Sequence, residues 1–256
     1  FALALTAGAY SGIGISAAHE LGHKKTALEK CLAKVLLAVP AYSHFSIEHN
    51  LGHHIWVATP EDPASARMGE SIYAFACREI PGAFKRGFEL EKQRLANKGQ
   101  SFWALENNLL QSYGLSTLLQ GGLIYAFGWI MIPFLVIHNF WAWFILTSAN
   151  YIEHYGLLRV KLPNGRYEKC QPHHSWNANF IISNVQFFHI QRHSDHHANP
   201  TRRYQSLRNF EHIPQMPIGY HGMYMLAYFP PLWFRLMDKR LLSLPHINGD
   251  LNKVNR

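Results

Sequence analysis

The fold is decided by residues 107–152, NNLLQSYGLSTLLQGGLIYAFGWIMIPFLVIHNFWAWFILTSANYI, which contain no Asp, Glu, Lys or Arg in 46 positions. As a helix this run would be about 69 Å long, enough to cross a hydrocarbon layer of roughly 30 Å twice. Pro133 lies near its middle, where the chain could turn back. The Trp and Tyr residues in it suit membrane interfaces and the lining of a cavity. The run therefore predicts a pair of spanning helices rather than a buried hairpin of a soluble protein.

Three further apolar segments extend this prediction. Residues 1–18 are uncharged and look like the end of another spanning helix. Residues 35–43 are too short to span and contain Pro40, so they are expected to be interfacial or re-entrant. Residues 218–237 are aromatic-rich but interrupted by two consecutive prolines, which favours a segment lying in the membrane interface. The predicted fold class is all-α, an integral-membrane helical bundle with a histidine-rich cytoplasmic cap.

The polar segments 59–106 and 155–215 are expected to face water. The second holds eight Lys or Arg against three acidic residues, which indicates the cytoplasmic side. Because two crossings separate His19 from His154, both fall on that same face. The chain begins with Phe1 inside an apolar stretch, so residues 1–256 are expected to form a single catalytic domain whose N-terminal spanning helices are missing.

The amino-acid composition excludes several classes of function. The chain has 17 histidines and a formal charge of +8. A basic balance suits a membrane surface or an acidic partner; no Lys/Arg-rich run supports nucleic-acid binding. The three cysteines are far apart and form no CxxC pair, which argues against a zinc knuckle, a rubredoxin-type iron site and a disulfide framework.

Four clusters contain all the candidate metal ligands. They are HELGH (19–23), HNLGHH (49–54), NYIEHYG (150–156) and QRHSDHH (191–197). Histidines at i and i+4 share one helix face and can share a metal ion. The nine candidates are His19, His23, His49, His53, His54, His154, His193, His196 and His197. Nine exceed what one ion takes, so two are implied; two irons with an open position each fit better than two tetrahedral zincs, although spacing alone does not exclude zinc.

An intramembrane zinc protease is the alternative from a different class. The first cluster matches H-E-x-x-H, in which Glu20 would act as general base. Such a site needs two histidines, one more ligand and the glutamate. It gives no reason for the other clustered histidines.

Acidic residues next to the ligands are candidates for orienting the imidazole rings and offsetting the charge of the ions. These are Glu20, Glu48, Glu153 and Asp195. Ordinary helix-cap or surface roles are the alternative for each. His173 and His174 could also support the site. His138 lies in the uncharged run and is a functional candidate for that reason, although a hydrogen-bonded structural role is favoured. Structural roles are expected for His44, His189, His212, His221 and His246.

The motifs resemble those of the alkane 1-monooxygenases, relatives of the membrane fatty-acid desaturases and of xylene monooxygenase. The resemblance rests on HELGHKK (19–25), EHNLGHHIWVATPEDPASAR (48–67), NYIEHYGLLR (150–159) and QRHSDHHANPTRRYQSLR (191–208), with HHSWNAN (173–179) between the last two. The three-box histidine pattern alone indicates the wider superfamily. The NYIEHYG motif and the long last box are specific to the alkane branch.

The resemblance implies that the nine histidines hold a non-haem di-iron centre. It implies O2 activation with electrons from reduced rubredoxin, supplied by a reductase, and hydroxylation of the terminal methyl of medium-chain alkanes. It also implies a multi-pass protein of the bacterial cytoplasmic membrane, active on the cytoplasmic side. The rubredoxin cysteines are absent here, so the donor is another domain or protein. A sister di-iron enzyme, such as a desaturase, an aryl-methyl hydroxylase or a ketolase, is the alternative within the superfamily.

A basic face is expected to receive the electron donor. Arg202 and Arg203 follow the last histidine cluster directly. Rubredoxins are generally acidic, and complementary charge raises association rates. These two arginines are therefore the predicted contributors to docking. The alternative is that they pair within the chain, with Glu168 or Glu211, or with lipid phosphates.

Overall fold

The computed structural model describes all 256 residues, and its regular structure is helical apart from three isolated β-bridges. The all-α part of the prediction is confirmed. The α-helices are α1 (Ala2–Gly22), α2 (Ala27–Ala38), α3 (Phe45–Glu48), α4 (His54–Trp56), α5 (Ile72–Ala96), α6 (Asn108–Phe127), α7 (Met131–His154), α8 (Ile181–Gln186), α9 (His193–Ala198), α10 (Tyr220–Ala227) and α11 (Pro230–Leu242). A π-helical turn (His49–His53) joins α3 to α4, and 3-10 turns occupy Pro172–His174, Tyr204–Ser206 and Leu251–Lys253.

The chain divides into two compact units. The first comprises residues 1–52 and 81–146, and the second comprises residues 53–80 and 147–256. Each unit contains one set of the clustered histidines, and each is described by itself.

In the first unit, α1 packs against α2, and α2 against α6. Glycines let α1 approach α7 closely. A Cβ added at Gly8 would lie 2.7 Å from the carbonyl oxygen of His138, and one added at Gly12 would lie 2.7 Å from Cβ of Ile145. The ring of His138 is held from both sides, with Nε2 2.8 Å from Ser11 Oγ and Nδ1 2.9 Å from Asn139 Oδ1. His138 is thus hydrogen-bonded, as the sequence favoured, and its structural role stays a prediction.

The uncharged run forms two helices, but the break between them lies earlier than predicted. Asn107 caps α6 by accepting hydrogen bonds from the N–H groups of Leu109 and Leu110. The helix ends where Gly128 adopts a positive φ of 80°. Pro133 lies inside the first turn of α7, where its missing N–H costs nothing. The turn predicted at Pro133 was therefore wrong, because the glycine with positive φ ends the first helix.

One helix is long and apolar enough to cross a membrane by length and composition, namely α7, with a mean hydropathy of 1.4. That α1 and α6 also cross stays a prediction. Residues 218–237 are interrupted as their prolines predicted, since α10 ends at Ala227 and α11 begins at Pro230.

The second unit is built on a buried aromatic core around the end of α7. Tyr151, Tyr155 and Trp233 contact one another with ring centroids 4.9–5.4 Å apart. Gly156 takes a positive φ of 71°, which favours helix termination directly after His154. Its N–H then donates to the carbonyl of Ala66. The aromatic packing and this backbone bond fix the position of His154.

Candidate metal centre

Four histidines of the second unit converge on one point. The ligand nitrogens of His53, His154, His193 and His197 all lie within 4.8 Å of one another, and the four residues are buried. Nε2 of His193 lies 3.0 Å from Nε2 of His154 and 2.9 Å from Nε2 of His197. Three segments supply these rings, namely the π-helical turn, the end of α7, and α9. The i, i+4 spacing in α9 puts His193 and His197 on one face, as the sequence indicated.

The ring of His53 is oriented by a carboxylate that the sequence analysis missed. Nδ1 of His53 lies 2.9 Å from Oδ2 of Asp62, which has 0% of its side chain exposed. A donated Nδ1–H leaves the Nε2 lone pair for a metal ion, which is the usual arrangement for a metal-binding histidine. Asp62 also accepts a hydrogen bond from Ser65 Oγ at 2.7 Å. The available signal was its place in the motif EHNLGHHIWVATPEDPASAR, after the histidines and directly before Pro63.

The donor set fits a transition-metal ion. Burial lowers the pKa of His197 well below its usual value, and the neighbouring rings, beginning with that of His193, lower it further. The imidazole is therefore neutral at neutral pH and has a lone pair to donate. Nδ1 of His197 is buried without a hydrogen-bond partner, while the Nε2 atoms of His154, His193 and His197 converge. Neutral imidazoles suit iron, zinc or copper rather than Mg²⁺ or Ca²⁺.

Two further candidate ligands form a pair within the second unit. Nε2 of His54 lies 3.1 Å from Nε2 of His196. The ring of His54 also contacts that of His197, with centroids 4.5 Å apart. The second unit thus contains six of the nine predicted ligands.

The other three predicted ligands converge in the first unit. Ligand nitrogens of His19, His23 and His49 lie within 4.8 Å of one another. Nε2 of His19 is 3.2 Å from Nε2 of His23, and the rings of His19 and His49 have centroids 4.4 Å apart. His19 and His23 share one face at the end of α1, which is the consequence of their spacing. His49 begins the π-helical turn, a feature that is frequent at functional sites.

Of the four acidic residues singled out from the sequence, Glu153 lies against a candidate ligand. Its Oε2 is 3.4 Å from Nε2 of His193. Its Oε1 accepts a hydrogen bond from the hydroxyl of Tyr220, which is also buried. Burial raises the pKa of Tyr220 well above its usual value, as does the nearby carboxylate, so the hydroxyl remains a donor. Tyr220 is a second residue that the sequence analysis did not identify.

The other acidic residues form ion pairs. Glu20 pairs with Lys24 at 2.9 Å along α1. Glu48 pairs with Arg86, whose Nε lies 2.8 Å from its carboxylate. Gly52 makes room for this arginine, since a Cβ there would lie 2.6 Å from Arg86 Nε.

Asp195 holds the segment that follows α9. Its buried carboxylate pairs with Arg202 at 2.6 Å and with Arg208 at 2.8 Å. Burial raises the pKa of Asp195, but the hydrogen bonds and charges of these two arginines outweigh that effect and lower it. Arg202 is therefore paired within the chain, though with Asp195 rather than the acids expected, whereas Arg203 is exposed.

Comparison with known proteins identifies the family. The family model described as fatty acid desaturase matches residues 1–229. The chain is 57% identical over 254 residues to alkane 1-monooxygenase 1 of Alcanivorax borkumensis, covering 99% of this chain and 62% of that protein. It is 54% identical over 254 residues to the alkane 1-monooxygenase of Pseudomonas putida, with coverage of 99% and 62%. It is 32% identical over 228 residues to the xylene/toluene monooxygenase hydroxylase component of Pseudomonas putida, with coverage of 86% and 58%.

The chain spans about three fifths of the length of the relatives it matches. The family match extends over the histidine clusters of both units. This chain belongs to the fatty acid desaturase family, and its sequence resembles alkane 1-monooxygenases over almost its whole length.

Proposed function

We propose that the protein hydroxylates the terminal methyl group of medium-chain n-alkanes, as the catalytic part of an alkane 1-monooxygenase. The observation that carries this proposal is the buried convergence of His53, His154, His193 and His197 in a chain 54–57% identical to alkane 1-monooxygenases. A buried site made of neutral imidazoles suits a redox metal.

The proposed cofactor is a pair of iron ions. The nine histidines singled out in the sequence would hold the pair, and the four that converge in the second unit, His53, His154, His193 and His197, would bind one of the two ions. Bound iron would supply the activation of O2. The protein's own contribution is to keep the imidazoles neutral, to fix their tautomers and to exclude water.

Asp62 and Glu153 support this role. Asp62 holds the ring of His53, and Glu153 lies beside His193 with its other oxygen held by Tyr220. Such carboxylates orient ligand rings and offset part of the charge of the metal. With nine neutral imidazoles in the proposed ligand set, these acids would supply part of that compensation.

Substrate selection is proposed to rest on apolar walls. A linear alkane has no polar group for a hydrogen bond, so a narrow channel that presents one chain end must provide the selectivity. The uncharged run of α6 and α7 offers such walls. Placement in the bacterial cytoplasmic membrane as a multi-pass protein, with the metals on the cytoplasmic side, is part of the proposal and is supported by the apolarity of α7.

Two alternatives are less well supported. A sister enzyme acting on aryl-methyl groups would keep the same histidines, but the identity to alkane 1-monooxygenases is 54–57% for three relatives, against 32% for the xylene/toluene enzyme. The zinc protease suggested by H-E-x-x-H is disfavoured by membership of the desaturase family. Glu20, its would-be base, is paired with Lys24.

The proposal is tested by metal and product analysis of the full-length protein in lipid nanodiscs, supplied with reduced rubredoxin, O2 and octane. We expect two irons per chain and 1-octanol as the product. His154→Ala should lose iron and turnover together, while the matched control His212→Ala, which changes an exposed histidine outside the clusters, should retain both. Active protein that contains one zinc and no iron would end the di-iron proposal.

A further inference from the structure

A separate group of histidine and glutamate side chains lines a cavity in the second unit. The cavity has a volume of about 560 Å³, and its walls include Glu168, His173, His174 and His246. Ligand atoms of the first three lie within 4.8 Å of one another. The rings of His173 and His246 have centroids 4.6 Å apart. None of these residues belongs to the nine proposed iron ligands.

Backbone hydrogen bonds hold the three segments that form this cavity. Residues 160–168 form a small hairpin, in which the N–H of Glu168 donates to the carbonyl of Val160 at 3.0 Å. Residues 172–174 form a 3-10 turn. The segment after His246 is anchored through the antiparallel bridge between Leu157 and Val254. A ligand would therefore meet side chains on a preformed frame, which lowers the entropic cost of binding.

His174 is positioned to support the cluster rather than to bind a metal itself. Its Nδ1 accepts a hydrogen bond from the N–H of Gln171 at 2.9 Å. The proton of a neutral ring must then be on Nε2, which lies 3.4 Å from Oε1 of Glu168. The same oxygen accepts from the N–H of Val160 at 2.8 Å. His174 and Val160 together fix one carboxylate oxygen and leave the other available.

His173 and His246 have lone pairs to donate. Both rings are half-buried, and they contact each other with centroids 4.6 Å apart. Burial lowers the pKa of His173, and burial followed by the charges of His173 and Lys253 lowers the pKa of His246 to about 4. Both imidazoles are thus neutral at neutral pH, the state in which they bind metals.

We propose that Glu168, His173 and His246 bind a divalent transition ion of the zinc class, with His174 as the positioning residue for Glu168. Two imidazoles and one carboxylate with a fourth position open to solvent is an established zinc ligand set. A bound ion would join the hairpin, the 3-10 turn and the C-terminal segment.

The charged side chains around the cavity affect how strongly a metal cation would bind, and they make a phosphate anion the competing ligand. Lys161 and Lys253 also line the cavity, but both are exposed, so solvent screens their repulsion of a cation. Arg159 is engaged with the carbonyls of Glu168, Ile55 and Val57. A phosphate ion could pair with the two lysines. The neutral rings of His173 and His246, however, would turn unprotonated nitrogen atoms toward it, and these cannot donate a hydrogen bond to an anion. The donor set therefore favours the metal.

The test is a titration of the full-length, iron-loaded protein with Zn²⁺ in phosphate-free buffer, followed by calorimetry, with Co²⁺ absorption reporting the geometry. We expect one saturable zinc in addition to iron, lost in His246→Ala and unchanged in the control His212→Ala. His174→Ala should weaken zinc binding by about 10–100-fold, as expected for a residue that positions a ligand. Iron content, measured by elemental analysis, should be the same in all these proteins.

The absence of a saturable zinc in the parent protein, or equal uptake by His246→Ala, would overturn the proposal. So would saturable binding of inorganic phosphate that Lys253→Ala abolishes, with no zinc bound. If His246→Ala does not fold, Glu168→Gln provides the same comparison, because the amide oxygen still accepts from the N–H of Val160.

Discussion

Nδ1 of His53 and Oδ2 of Asp62 lie 2.9 Å apart in the interior of the second unit, with only 1% and 0% of the two side chains exposed. The carboxylate fixes the proton of the ring on Nδ1 and aims Nε2 at the cluster formed with His154, His193 and His197. Ser65 in turn holds the same carboxylate oxygen. The order of the site therefore depends on a residue that contacts a candidate ligand from outside the histidine cluster.

Replacing this carboxylate should loosen the metal centre. Asp62→Asn keeps the volume but removes the charge that fixes the ring of His53, so iron affinity and turnover should fall together by about 10–100-fold. Iron content of the purified full-length protein and octane hydroxylation measure the two quantities. Glu61→Gln is the matched control, since Glu61 is adjacent and exposed, and should leave both unchanged. Full iron retention in Asp62→Asn would show that Asp62 serves the fold alone.

Two buried tyrosines on α10 should respond oppositely to loss of their hydroxyl groups. The hydroxyl of Tyr220 donates to Glu153, whereas the hydroxyl of Tyr224 is buried without a hydrogen-bond partner. Tyr220→Phe leaves the buried carboxyl group of Glu153 short of a hydrogen-bond donor and should cost about 1–3 kcal/mol of unfolding free energy. Tyr224→Phe should be neutral or slightly stabilising. The free energies of unfolding of the two variants, measured in the same detergent, test this prediction. Equal losses of unfolding free energy would contradict the assigned role of Tyr220.

Glu20→Gln separates the oxygenase from the protease. The carboxylate follows His19 directly and pairs with Lys24 at 2.9 Å. If it supports the ligands, the substitution should lower iron occupancy and turnover in parallel, by about 10–100-fold. If it were a general base, turnover would vanish while the metal stayed. Metal content and product formation, measured on the same preparation, distinguish the two outcomes. Glu89→Gln, at an exposed position on α5, is the control.

The sequence could predict relationships between residues that are close together along the chain. The i, i+4 pairs of α1 and α9 follow from helix geometry, because spacing alone determines which side chains share a face. The hydrogen bond between Tyr220 and Glu153 joins residues 67 positions apart and has no periodic signature. The same holds for the pairing of Arg86 with Glu48, 38 positions away. The early turn at Gly128 was missed because a proline is tolerated in the first turn of a helix, so the glycine and not Pro133 ends α6.

The electron donor is proposed to dock where Arg203 is exposed. Residues 155–215 carry eight basic and three acidic residues, a net charge of +5, which complements an acidic rubredoxin. Arg202, by contrast, is half-buried and pairs with the buried carboxylate of Asp195 at 2.6 Å. Arg203→Ala should raise the apparent KM for rubredoxin by about fivefold at most, since an exposed charge pair contributes ~1 kcal/mol or less.

Salt and stability distinguish docking from a structural role. If Arg203 contributes to docking, Arg203→Ala should also weaken the salt dependence of turnover, because fewer charges steer the encounter. Its iron content and thermal stability should match those of the parent.

Arg202→Ala should instead lower stability, because Asp195 loses one of its two arginine partners. Arg166→Ala, an exposed change in the hairpin of residues 160–168, tests whether any lost positive charge has the same effect. Turnover titrated with rubredoxin at low and high salt measures all three. An Arg203→Ala variant with the parent's salt response, or with lost iron, would place the docking surface elsewhere.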